Sequence, residues 1–226
     1  MAYEFSQSPN HQYLQTTGSP APQWNAGSAF SISLWFKAYN VTDQHNLLHL
    51  WHSGTNNLYA LIAEGDDEGD KVKLRSIVGG SGSGVATITA FSANTWHHVL
   101  ASVSGISHVN NEGDLNVSID GNWGLTKEEV DLPSTDESSV MVSGNGATYP
   151  AIAGCVAEVA IYNVQIASED VDALSLRMGY SPLLIKPHNL IFYAPLRGGP
   201  QEWIEGLTLT PYNSAAKVSD HPPIRL

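Results

Sequence analysis

Trp96-His97-His98-Val99-Leu100-Ala101-Ser102-Val103, followed after a polar loop by Leu115-Asn116-Val117-Ser118-Ile119-Asp120-Gly121, decides the fold class. The first run reads as a Trp-led strand with apolar residues at both parities. In the second, Leu115, Val117 and Ile119 alternate with Asn116, Ser118 and Asp120, which is the period of a half-buried β-strand. Asp120-Gly121 closes it as a turn, because Gly accepts positive φ and Asp bonds its own backbone.

Working outward, the same period recurs. Phe30, Ile32, Leu34 and Phe36 alternate with Ser31, Ser33, Trp35 and Lys37, the clearest strand in the chain. Further strands are predicted at 46–51, 58–63, 72–78 and 85–90, with shorter pieces at Phe5, Tyr13-Leu14 and 123–125. The runs 140–142 and 155–162 close the β part. Between them, 17–22 is a loop because its prolines cannot donate to a ladder. Gly79 to Gly84 is a flexible loop, 64–70 an acidic turn and 126–137 an acidic loop. One helix is expected at 168–178: Ser168 caps it, Glu169 and Asp170 suit its positive end, Val171, Leu174 and Met178 share a face, and Gly179 stops it. Pro182 and Pro187 then fix an extended segment into a last strand, 190–193. Many short strands and one late helix predict an all-β fold, a two-sheet antiparallel jelly-roll sandwich. The expected organisation is one domain over 1–197 and a C-terminal tail, 198–226, wrapping its surface.

Composition narrows the function. At 226 residues the chain can bury a full core. A net charge of -12 argues against nucleic acid and against an anionic membrane surface. Cys155 is the single cysteine, so no intramolecular disulfide forms. Met1-Ala2-Tyr3-Glu4-Phe5 has neither a basic segment nor an apolar run. No signal peptide or membrane span is therefore expected, and synthesis in a cytoplasm is. Asn40-Val41-Thr42 and Asn116-Val117-Ser118 fit the glycosylation pattern, and without a signal peptide both read as chance.

Five pieces in order, Phe30 to Phe36, Trp96 to Val99, Ile119 to Gly121, Gly154 to Asn163 and Ser168 to Val171, resemble the laminin-G-like (LamG, concanavalin A-like) jelly-roll domains. The resemblance covers about residues 1 to 180 and implies the same sandwich. The run Ser181 to Leu196 and the ending Asp220-His221-Pro222-Pro223 resemble the C-termini of LamG-like proteins of bacteriophages. This implies a virion location, with other virion proteins, or copies of the chain itself in a homo-oligomer, as partners. Many family members carry two Asp residues in the strand before the helix, where this chain has Ala157 and Glu158. The departure leaves the family's calcium ligands without a counterpart.

The chemical constellations are few. Calcium is the one candidate cofactor, through the acidic run Glu64 to Asp70. That run lacks the EF-hand spacing and reads as a solvated hairpin tip. Nine histidines show no zinc spacing: His97 and His98 are adjacent and point to opposite faces of a strand, and of His45, His49 and His52 only the first two share one. Glucanases of this fold carry a Glu-x-Asp-x-x-Glu strand. Here Glu158 stands alone among apolar neighbours, with no second carboxylate in its strand. Cys155 reads as a core residue, and the glycine loop lacks the Lys of a phosphate loop. No enzyme is expected. Among the tryptophans, Trp96 reads as core. Trp35, on the Ser and Lys side of its strand, and Trp51 and Trp123, near strand ends, are the candidates for stacking on a sugar or docking a partner. The function expected is a non-enzymatic binding or assembly protein, a bacteriophage virion surface component such as a capsid decoration or fibre-associated protein. The alternative is a carbohydrate-binding, lectin-like module, which could sit on the same virion. A third reading is a glycoside hydrolase with an unrecognised site.

Overall fold

The alternation at 30–36 does what its period requires: Phe30, Ile32, Leu34 and Phe36 are each 0% exposed and face a second sheet. The computed structural model describes residues 2–6, 12–16, 28–52, 57–65, 71–89, 91–107, 109–133, 139–144, 150–175, 178–197 and 199–225. In chain order the strands are β1 (Ala2–Phe5), β2 (Tyr13–Thr16), β3 (Phe30–Ala38), β4 (Gln44–His52), β5 (Asn57–Glu64), β6 (Lys71–Val78), β7 (Ser81–Thr89) and β8 (His97–Ser107). They continue as β9 (Glu112–Ile119), β10 (Asn122–Trp123), β11 (Lys127–Asp131), β12 (Ser139–Val142), β13 (Gly154–Tyr162), β14 (Leu190–Ala194), β15 (Leu209–Tyr212) and β16 (Ala216–Val218). A helix, α1 (Ser168–Leu174), follows β13.

The strands form two antiparallel sheets. Sheet A runs β10-β9-β8-β3-β13-β1-β16, with β11 also on β9 and β14 on β13. Sheet B runs β15-β2-β12-β4-β5-β6-β7. The main core lies between them and joins the inward residues of β3, β8 and β9 to Leu48, Leu50, Tyr59, Leu61 and Leu74 of sheet B. Each such side chain contributes roughly 1.5–3 kcal/mol by leaving water.

The outer face of sheet A is mostly covered as well. On one side α1 and the segment after it place Val171, Leu174, Ile185 and Leu190 against Leu100, Ala160, Tyr162 and Tyr193. On the other side the C-terminal tail places Val218 and Ile224 against Ala2, Trp35, Cys155 and Ala157.

Several expectations need correction. The helix ends at Leu174 rather than 178; Ala167, not Ser168, occupies its N-cap position and makes no side-chain cap bond. Met178 is 45% exposed rather than on the buried face of Val171 and Leu174. The Gly79-to-Gly84 loop is a two-residue turn at Gly79-Gly80, at φ +58° and +84°, after which β7 begins at Ser81. The acidic loop after Thr126 contains β11, whose Val130 is buried between the sheets. The tail contributes β15 to sheet B and β16 to sheet A. The predicted loop at 17–22 and most of the acidic run 64–70 lie outside the described residues.

Candidate functional site

The two covers leave one strip of sheet A open, along β9 and β10. There the loop before α1 and the β9–β10 edge enclose a cleft of about 410 Å3, within the range that small ligands occupy. Asn116, Trp123, Gly124 and Thr126 line one wall, and Gln165, Ile166, Ala167 and Ser168 the other.

The turn places the tryptophan. Asp120 and Gly121, at φ +51° and +83°, reverse the chain so that Trp123 pairs with Ser118 on the outer face. The Asp120 carboxylate pins this corner: Oδ2 lies 2.7 Å from His97 Nδ1, and Oδ1 accepts from the His98 amide at 2.8 Å. Gly124 follows because a Cβ there would overlap the Thr87 carbonyl oxygen of sheet B. Thr126 Oγ1 donates to Asn116 Oδ1 at 2.7 Å, and Asn116 Nδ2 donates to Ser104 Oγ at 3.2 Å. Opposite, Ser31 Oγ accepts from the Ile166 amide at 2.9 Å and donates to the Val164 carbonyl at 3.0 Å, tying down the loop that carries Gln165. Trp123 is 37% exposed. Beneath the strip, the register puts Ser118 beside Trp123 and Ser102 beside Asn116, and the hydroxyls of both serines are buried without a protein partner.

The predicted tryptophans do not converge. Trp123 is on the cleft. Trp35 is a correction: it is 1% exposed, because the tail lies over its face and Ile224 and Val218 pack beside it. It cannot stack on a ligand in this arrangement. Trp51 is half-buried on sheet B, packed against Ala60, Ile62 and Ile77, away from the cleft. Trp96 is half-buried rather than core, and its indole Nε1 donates to Asp220 Oδ1 at 3.0 Å.

Glu158, alone among apolar neighbours in the sequence, finds its partners from distant parts of the chain. The register of β13 against β3 slips between Ala157 and Ala160, and Glu158 occupies that bulge at φ +57° with 0% exposure. Its Oε2 accepts from the Tyr193 hydroxyl at 2.5 Å, and its Oε1 from Arg197 Nε at 2.6 Å and His221 Nε2 at 3.2 Å. Burial pushes the carboxyl up, but the bonds from His221, Arg197 and Tyr193 outweigh it and hold Glu158 below the usual carboxylate range. Both oxygens are engaged, so the cluster fastens the tail to the sheet. Its partners lie 35 to 63 residues downstream, beyond the reach of any local pattern.

His97, His98 and His49 are held in hydrogen bonds within the fold. His97 Nε2 accepts from the Ser92 amide at 3.0 Å, so its proton is on Nδ1, facing Asp120. His98 bonds Ser33 Oγ at 2.9 Å, and His49 bonds Asn46 Oδ1 at 2.9 Å. Among the described residues no group of three or more His, Cys, Asp or Glu side chains could hold a metal ion. No described helix is long and apolar enough to cross a membrane.

A sequence profile of the concanavalin A-like lectin/glucanase superfamily matches residues 8–172. No curated protein matches the sequence. Among solved structures, a protein from Bacteroides ovatus described as carbohydrate-binding is similar over 95% of this chain and 58% of its own, with 14% identity and a TM-score of 0.64. A heptameric SAP-like pentraxin from Limulus polyphemus is similar over 78% of this chain and 82% of its own, at 13% identity and a TM-score of 0.57. The enzymatically active domain of tailspike protein 2 from bacteriophage CBA120 is similar over 85% of this chain, at 14% identity and a TM-score of 0.53. The chain spans 29% of that domain's length. At these identities the likeness concerns the fold.

Proposed function

Because this chain belongs to the concanavalin A-like lectin/glucanase superfamily, and so has a carbohydrate-binding, lectin-like fold, we propose that it is a non-catalytic glycan-binding module whose site is the Trp123 cleft. One observation carries the reading: an exposed indole face shares a cleft with amide and hydroxyl groups. That is the pairing a sugar needs, with its C–H face on the ring and its hydroxyls on polar groups. The Gln165 amide and the Trp123 indole N–H make no hydrogen bond to the described residues and are free for a ligand. The carbohydrate-binding description of the Bacteroides ovatus protein is consistent with it.

The test is a glycan array with the wild-type chain and Trp123→Ala. Binding should be lost or fall about tenfold or more in the variant, the effect of removing an anchoring aromatic. An array without hits, or hits indifferent to Trp123, would refute the assignment. Bound oligosaccharides should be recovered uncleaved after long incubation, since no open carboxylate pair lines the cleft.

A second, compatible reading puts the module on the surface of a bacteriophage particle as a decoration or fibre-associated protein. It is supported by the phage-like run from Ser181 to Leu196. Mass spectrometry of purified particles tests it: hundreds of copies per particle fit decoration and a handful a fibre, and absence from particles overturns it.

A further inference from the structure

Among its described lining residues the cleft holds no Lys, Arg or His, and no carboxylate. At its rim, Glu169 Oε2 is 3.4 Å from Ser168 Oγ. The whole chain carries a net charge of -12, so no long-range field offsets that rim. Every polar side chain among the described lining residues is neutral: the amides of Asn116 and Gln165, the hydroxyls of Thr126 and Ser168 and the Trp123 indole. The unpartnered hydroxyls of Ser102 and Ser118 beneath the strip are neutral too. A site built for a sialylated, sulfated or uronic-acid sugar would place a cation on the ligand's anionic group, because charge-assisted bonds are the strong ones.

Resting on the glycan reading of this cleft, we propose that its ligands are neutral glycans, and that Glu169 at the rim disfavours acidic ones. Selection is by ring face and hydroxyl pattern, through Trp123, Asn116 and Gln165. It needs no divalent ion, since the lining offers no carboxylate to hold one.

The experiment compares neutral oligosaccharides with their sialylated and sulfated counterparts by calorimetric titration of the full chain, in EDTA, at low and high salt. The acidic forms should bind at least about threefold more weakly at low salt. That is the Coulomb cost of a unit charge held ~6 Å from the Glu169 carboxylate at the dielectric of water. The gap should narrow at high salt and in Glu169→Gln, which removes the charge from the exposed rim. Tighter or equal binding of acidic forms that Trp123→Ala abolishes would overturn the neutral class and leave the glycan site standing. Binding that disappears in EDTA would overturn the ion-free mode alone. Failure of every glycan, or binding that Trp123→Ala leaves intact, would overturn both.

Discussion

Arg197 Nε lies 2.6 Å from Glu158 Oε1, a carboxylate that is 0% exposed and sits on a bulge of the central strand β13. The pair joins the tail to the sheet through Glu158, which also takes His221 and Tyr193. Removing one partner from such a pair leaves a buried charge uncompensated, at a cost of about 3–5 kcal/mol. Glu158→Gln strands Arg197, whose side chain is 25% exposed, and should therefore lower the unfolding free energy measured in urea by up to that much at unchanged m-value. Arg197→Gln in the same background should recover part of the loss. A double variant no better than the single would mean that Arg197 is not the group stranded.

Three buried histidines make the fold acid-sensitive, and burial pushes the first of them, His45, down. Burial pushes His49 down to about 4, and burial, only partly opposed by Asp120, pushes His98 down to about 3. In the unfolded chain all three titrate near 6.5. Between about pH 6.5 and 4 the unfolded state therefore binds protons that the folded state refuses, and stability falls as pH falls. The slope is up to ~1.4 kcal/mol per pH unit per histidine, with a plateau above pH 7. Below the unfolded carboxylate range, protonation of Glu158 removes a further share, because its folded value lies below its ordinary one. Urea midpoints across pH 4 to 8 measure this, and His98→Gln should make the slope shallower without abolishing it. A flat profile would show that none of the three rings is held neutral.

The sandwich was legible because its evidence is local. The inward residues of β3 and β9 alternate over single strands, and Asp120-Gly121 announces its own turn. What lay hidden was which face the helix and the wrapping tail cover, the outside of sheet A. Ser31, Ser33 and Trp35 read as a solvent face, yet all three are buried, by α1, its flanking loop and the tail, more than 100 residues downstream. The same distance hid the Glu158 cluster. Of the site, Trp123 could be proposed from its position at a strand end. Gln165 and Ser168 could not, because only the packing of α1 brings their loop over β9.

The two tryptophans on the outer face of sheet A should answer in opposite ways to truncation. Trp35 is 1% exposed in contact with the tail, and its ring packs 5.3 Å from that of His98. Trp35→Ala should cost about 3–5 kcal/mol. Trp123→Ala should cost about 0.5 kcal/mol, since the ring stands at the surface. Denaturation of the two variants side by side decides whether glycan binding lost in the second is a local effect. Equal destabilisation would remove that inference.

Gly124 makes the most specific claim about how the cleft is built. The glycine adjoins Trp123, and a Cβ on it would overlap the Thr87 carbonyl and come 2.8 Å from Ile88 Cβ. A bridge between Thr87 and Leu125 holds the same two segments together. Gly124→Ala must therefore push β10 away from β7 or displace Trp123 outward. Overpacking of this kind costs about 1–3 kcal/mol. Its effect on glycan affinity should be larger than that of Thr126→Ala, which removes one exposed hydrogen bond to Asn116 worth about 0.5–1.5 kcal/mol. Thermal unfolding and calorimetric titration of both variants give the two numbers. If Gly124→Ala loses stability but keeps full affinity, contact with sheet B does not set the position of the Trp123 ring, and the turn at Asp120-Gly121 must do so alone.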